Sequence, residues 1–330
     1  MVEFCWTLLL IAHLLCVNVA AGGPILCVWL EWRGDALARR AAAYLGRLGL
    51  LTLVAGGALG LVIGWLKWSP AYRDLWTGPL SYKLHWGAAE LVFSLVLALV
   101  YWLLVRGKGG NSTGSRIGRG SIALLHGTNL LYHFPPLFAV ASKLYETGQT
   151  AGETIRGAQF RHLAWAGEAP ALTIHVVLAS VAVAGVMLLG LALRWMRHDE
   201  LPADISKVAM WGSRWALGST LVQLPIGLWT LTVLPADSQS RLLGNQLLGT
   251  TLFIAAMLAV FWLLRELADV ALGEATRPAM IRTMSAMLVV VGLMTAMQQA
   301  VRPMPAASTP HATTSNTSNS IGEMTWPWKS

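Results

Sequence analysis

Eight stretches of the chain are apolar for long enough to cross ~30 Å of hydrocarbon, which takes roughly 20 residues of helix. They run over about 6–30, 48–66, 87–105, 120–141, 171–193, 208–234, 243–264 and 281–300. Trp29, Trp32, Trp65, Trp68, Trp102, Trp195, Trp229 and Trp262 fall near segment ends, where an amphipathic ring sits between hydrocarbon and water. The pattern predicts an all-α fold, a polytopic membrane helix bundle of about eight transmembrane helices that occupies residues 1–304. From 305 to 330 the chain turns to Ser, Thr, Asn and Pro with little to bury, and a disordered external tail is expected. The first stretch carries Glu3 instead of a basic n-region and is about twice the length of a signal-peptide core, so it is expected to stay as a span.

Composition agrees with this reading. Of 330 residues 55% are hydrophobic and only 12% charged, and mean hydropathy is +0.56. A soluble domain carries about 25% charged residues, so a water-soluble enzyme and a disordered chain are both excluded. Three cysteines cannot staple a disulfide scaffold of this length.

A net charge of +8 would suggest a nucleic-acid partner in a soluble chain, but here the charges alternate with the spans. Arg33, Arg39, Arg40 and Arg47 follow span one, and Arg106, Lys108, Arg116 and Arg119 follow span three. Arg194, Arg197, Lys207 and Arg214 follow span five, and Arg265, Arg277 and Arg282 follow span seven. These segments hold 15 of the 24 basic residues. The positive-inside rule then places both termini outside, which an even number of spans also requires. The partner is the lipid bilayer and no nucleic acid is expected.

Ionisable groups inside hydrocarbon are costly and mark function by default. They are His13 in span one, Glu90 in span three, His126 and His133 in span four, and His175 in span five, with His85 at the outer mouth of span three. At 1.5 Å per residue, His13, His133 and His175 lie ~10, ~12 and ~6 Å below the outer face, and His126 lies deeper. Three imidazoles at matched depth suit an iron porphyrin held between helices better than zinc, since no Cys/His cluster has zinc spacing. Covalent c-type haem is excluded, because the chain has no Cys-x-x-Cys-His. Cys5, Cys16 and Cys27 recur every 11 residues on one face of span one and are expected to pack as small buried hydrophobes. Gly56, Gly57, Gly60 and Gly64 predict close helix contact in span two, and Pro135-Pro136 and Pro225 predict bends in spans four and six.

These residues resemble, in order and spacing, subunit I of the cytochrome bd-type quinol oxidases. His13 followed by Gly22-Gly23-Pro24 is similar to that family's first span, where a haem-ligating His precedes a Gly-x-Pro. The stretch from Leu48 to Gly64 and on to Trp68-Ser69-Pro70 is similar to its second span and following loop. Glu90, twelve residues before Trp102, resembles a glutamate of the third span, and His175 to Gly185 resembles the fifth, whose His ligates the low-spin b haem. The resemblance covers about 1–200 in register and 205–303 loosely.

The chain also departs from that pattern. Pro235 to Arg241 stands where the family has a long quinol-binding loop, and no Met begins the seventh span in Ser240 to Gly249. Gln298-Gln299 stands before Arg302-Pro303 where the family has a haem-ligating Glu.

The resemblance implies a shortened b-type cytochrome that transfers electrons within a respiratory membrane complex of the bacterial inner membrane, beside other membrane subunits. One b haem is expected, or two, on His175, His133, His13 and His126. With the family's Met missing, a bis-imidazole iron on His175 with either His133 or His13 is the first expectation. Glu90 is expected to face the bundle as a proton relay. The competing reading is a haem-free membrane subunit, or a transporter-like protein, whose histidines are structural or relay protons.

Overall fold

The computed structural model describes residues 2–107, 112–198 and 201–301, so the expected tail at 305–330 lies outside the described residues. Those residues form helices and no strand. In chain order the helices are α1 (Val2–Arg33), α2 (Ala36–Leu66), α3 (Pro70–Thr77), α4 (Ser81–Arg106), α5 (Thr113–Glu146) and α6 (Gly157–Ala164). They continue with α7 (Ala169–Met196), α8 (Pro202–Val233), α9 (Ala236–Ser240), a π-turn over Arg241–Asn245, α10 (Leu247–Ala271) and α11 (Arg277–Val301).

Seven of the described helices, α1, α2, α4, α7, α8, α10 and α11, are long and apolar enough to cross a membrane. The remaining expected span, 120–141, lies within α5. At 34 residues α5 is ~51 Å long, but His126, Asn129 and His133 dilute its apolar run. This is an all-α polytopic bundle and an integral membrane protein.

Most of the helices run beyond the expected apolar stretches, whereas α10 starts at Leu247, four residues inside its own. α2 starts at Ala36 and not near 48, so Arg39, Arg40 and Arg47 are helical rather than in a loop. Arg116 and Arg119 likewise fall inside α5, which the Ser112 side chain caps at the Ser115 N–H. Asp35 caps α2 in the same way, its carboxylate accepting from the Ala38 N–H at 2.7 Å. Long basic side chains can sit on a helix that has already left the apolar slab, because their heads reach water.

α7 is the most enclosed helix: 61% of its most apolar window is buried, against 17% for α2. Its closest neighbour is α8. Gly185 and Gly212 meet face to face there, and a Cβ on either would run into the other's carbonyl. Small residues let the two backbones approach, which is how helices pack when lipid removes the hydrophobic drive. α1 packs along α2, α5, α7 and α11. In α2, Gly56 lies against Cys16 and Val17 and Gly60 against His13, whereas Gly57 and Gly64 face no side chain. The three thiols do not share a buried face: Cys27 is buried, Cys16 partly so and Cys5 exposed. Pro24, Pro135, Pro136 and Pro225 are accommodated inside unbroken helices. The described helices α3 and α6 pack with the last turns of α5 in a separate apolar cluster around Leu75, Trp76, Leu80 and Leu144.

Candidate functional site

The sequence-predicted residues fall into three groups. The first joins α1, α2 and α7. His13 Nδ1 lies 2.9 Å from the Gly56 carbonyl oxygen, so this nitrogen carries the proton and donates, leaving Nε2 as the ring's basic atom. Gly60 makes room for the ring, since a Cβ there would sit 3.0 Å from His13 Cε1. The α1–α7 contact is set five residues deeper, where the Ser180 hydroxyl is 2.8 Å from Asn18 Oδ1 and Gly22 lies on the Ser180 backbone.

α1 and α7 run parallel. His13 precedes Asn18 by five residues and His175 precedes Ser180 by five, which puts both histidines at one level ~7.5 Å from that hydrogen bond. His175 Nδ1 is buried without a hydrogen-bond partner, and the residue's carbonyl accepts from Gln223 Nε2 of α8 at 3.3 Å. A buried polar nitrogen without a partner is costly in an apolar setting.

The second group lies between α4 and α5. His133 Nε2 is 3.7 Å from Glu90 Oε1, and the two side chains are 39% and 21% exposed. Tyr132 lies edge-on to the His133 ring at 5.0 Å. One turn deeper, Asn129 Nδ2 donates to the Glu90 carbonyl at 3.1 Å and to Ser94 Oγ at 2.9 Å. Glu90 thus faces the neighbouring helix, with a hydrogen-bonded polar row beneath it.

The third group is the deepest. His126 is 3% exposed, and its Nε2 has no partner. A small cavity of about 10 Å³ lies beside it, lined in part by Pro24, Cys27, Gly46 and Tyr101. That volume is close to the room one water needs.

Below it stands a cluster that sequence reasoning missed. Glu31 of α1 and Arg119 of α5 are both 3% exposed at the side chain, and they pair through two bonds, Nη2 to Oε2 at 2.8 Å and Nε to Oε1 at 2.9 Å. The Tyr101 hydroxyl donates to Glu31 Oε1 at 3.2 Å, and Arg119 Nη1 donates to Ser115 Oγ at 2.7 Å. The available signal was heptad spacing: Arg119, His126 and His133 are each seven residues apart on one stripe of α5. With Arg119 assigned to a loop, that stripe was cut short.

Gln299, of the Gln298-Gln299 pair that stands where the resemblance expects a glutamate ligand, has its Nε2 buried without a partner near the end of α11, as Gln246 has its Oε1 before α10. Among the described residues no group of three His, Cys, Asp or Glu side chains could hold a metal ion by itself.

The fold and these groups define a class, a helical membrane bundle with imidazoles in one half and paired charges at the other end. The bundle is similar to the solved bd oxidase from Geobacillus thermodenitrificans, with a TM-score of 0.73. The match covers 91% of this chain and 85% of that one at 12% sequence identity, so what the two share is the fold. No protein-family model matches the chain, and no curated protein sequence does.

Proposed function

We propose that the chain is a divergent relative of cytochrome bd oxidase subunit I. In this reading it is a b-type haem protein that passes electrons within a respiratory complex of the bacterial inner membrane, beside other membrane subunits and with both termini outside. The observation that carries the reading is the pairing of a bd oxidase fold with His13 and His175 at one level of adjacent helices. The donor set fits the group: His13 has the anchored Nδ1 usual for a histidine that binds iron through Nε2, and His175 has a buried Nδ1 that no protein group engages.

When bound, the haem supplies reversible one-electron chemistry at its iron. The chain's own part is positional. The Gly56 carbonyl fixes the tautomer and plane of His13, and Gly60 leaves the ring its place. Packing of α7 on α1 and α8 holds His175 at the same level. Glu90 Oε1 faces His133 Nε2 at 3.7 Å, an ion-pair contact longer than a hydrogen bond, and Asn129 fixes the backbone beside Glu90. His175 is the first ligand in this proposal, His13 or His133 completes its iron or holds a second haem, and His126 is the inner candidate on the α5 stripe.

Single His175→Ala, His133→Ala and His13→Ala variants test the assignment by their reduced-minus-oxidised spectra. The expected result is loss of the b-type α-band in the His175 variant, with the helical circular dichroism retained. An unchanged band would end the assignment, and a blank spectrum in the unaltered protein would favour the haem-free membrane subunit.

A further inference from the structure

Near the turn from α10 into α11 a guanidinium is held at one nitrogen and open at the other two. Arg282 Nε of α11 donates to Glu266 Oε2 of α10 at 2.9 Å, and the Trp262 indole N–H donates to Glu266 Oε1 at 3.2 Å. Glu266 is 5% exposed, so both of its oxygens are engaged inside the seam between the two helices. The Arg282 side chain is 51% exposed, and among the described residues nothing pairs with its two Nη atoms. Arg265 is exposed and likewise unpaired among the described residues. It follows Trp262 by three positions and so shares that residue's face of α10.

The two arginines mark the level where hydrocarbon gives way to water, since the apolar runs end at 264 in α10 and begin at 281 in α11. Trp262, an amphipathic ring at that level, fits the same boundary. Toward the bilayer centre the same stripes turn apolar and exposed. Leu258 and Ile254 stand four and eight positions before Trp262, and Val289 seven after Arg282. Toward the water stand the acids of this end, Asp269 and Glu274, four and nine positions past Arg265, together with the basic Arg277.

We infer that this seam binds one anionic phospholipid, its phosphate on Arg265 and the open Nη atoms of Arg282, its acyl chains along Ile254, Leu258 and Val289. Guanidinium groups hold phosphate oxygens through charge-assisted hydrogen bonds, and basic groups at the membrane surface favour anionic headgroups. Two arginines against the one buried carboxylate leave a single positive charge, which one phosphodiester balances. The apolar stripes that lead away from the charges favour a lipid over a soluble phosphate, which has no chains to lay there. The site stands with or without haem.

The experiment titrates the full-length detergent-solubilised protein with phosphatidylglycerol, phosphatidylcholine and glycerol 3-phosphate, reading bound lipid by native mass spectrometry. Phosphatidylglycerol is expected to be retained in preference to phosphatidylcholine, and glycerol 3-phosphate is expected not to displace it. Arg265→Gln, which leaves the Glu266–Arg282 pair intact, should bind phosphatidylglycerol about fivefold more weakly, the loss of one basic residue at the surface. Arg265→Gln/Glu266→Gln/Arg282→Gln removes both basic groups without leaving a buried carboxylate unpaired, and should bind roughly 30-fold more weakly. Arg282→Lys keeps the charge, but its single nitrogen is drawn to Glu266, so it should bind more weakly than the native protein. Arg73→Gln, at the opposite end, should bind as the native protein does. Native-like binding by the triple variant or by Arg282→Lys, equal retention of phosphatidylcholine, displacement by glycerol 3-phosphate or weakened binding by Arg73→Gln would each overturn the lipid site.

Discussion

Replacing Arg119 by Met tests how the α1, α4 and α5 contact is held. The Glu31 carboxylate is 3% exposed and receives two hydrogen bonds from Arg119 and one from Tyr101. Met fills the space of the Arg stem but leaves Glu31 buried with the Tyr101 hydroxyl alone. An uncompensated buried charge costs about 3–5 kcal/mol, whereas an exposed pair contributes under about 1 kcal/mol. Arg119→Met should therefore destabilise the bundle by about 3–5 kcal/mol, measured by reversible SDS-induced unfolding of the detergent-solubilised protein. Glu31→Gln/Arg119→Met removes both charges and should recover more than half of that loss, since a neutral amide can still accept from Tyr101. A loss below about 1 kcal/mol for the single variant would refute the reasoning, because the pair would then behave as a solvated surface bridge. Equal losses in the single and double variants would refute it too, by showing that stem packing and not charge sets the cost.

Gly60→Val places a side chain where a Cβ alone sits 3.0 Å from His13 Cε1, and should shift or abolish the spectral signature assigned to His13. Gly57→Val, which faces no side chain, should leave that signature unchanged. Glu90→Gln removes the carboxylate beside His133 in a partly exposed pair, so stability should fall by less than about 1 kcal/mol while proton uptake on reduction slows. Unaltered proton uptake in stopped flow would remove Glu90 from the proton route. An activity reporter fused after Gly107, beyond the basic end of α4, should read as internal, and an external reading would invert the topology.

The bundle was legible in the sequence because hydrocarbon length and loop charge are strong constraints, and each expected apolar stretch overlaps a long helix of the structure, although the seventh, 243–264, begins in the π-turn four residues before α10. Boundaries were less legible, since hydropathy reports where the lipid ends and not where the helix does. α2 runs twelve residues past its apolar run, carrying Arg39, Arg40 and Arg47 with it. The same effect hid the Glu31–Arg119 pair: two ionisable residues at opposite ends of separate apolar runs look like interfacial charges until packing brings α1 and α5 together. Rise per residue puts His13 and His175 at ~10 and ~6 Å depth, and it is the Asn18–Ser180 contact between α1 and α7 that brings them to one level. That Gly56 holds Nδ1 of His13, and that His133 turns to Glu90, depend on which helices are neighbours, and no periodicity within one helix encodes that.

The central claim is that the imidazoles of this bundle hold iron porphyrin. The most direct measurement is the haem content of the full-length protein, purified from membranes in mild detergent and assayed as the pyridine haemochrome against protein concentration. The account predicts non-covalent b-type haem in stoichiometric amount, at least one per chain, that co-elutes with folded protein. Folded, monodisperse protein that elutes without haem, and takes up none when haemin is added, would contradict it.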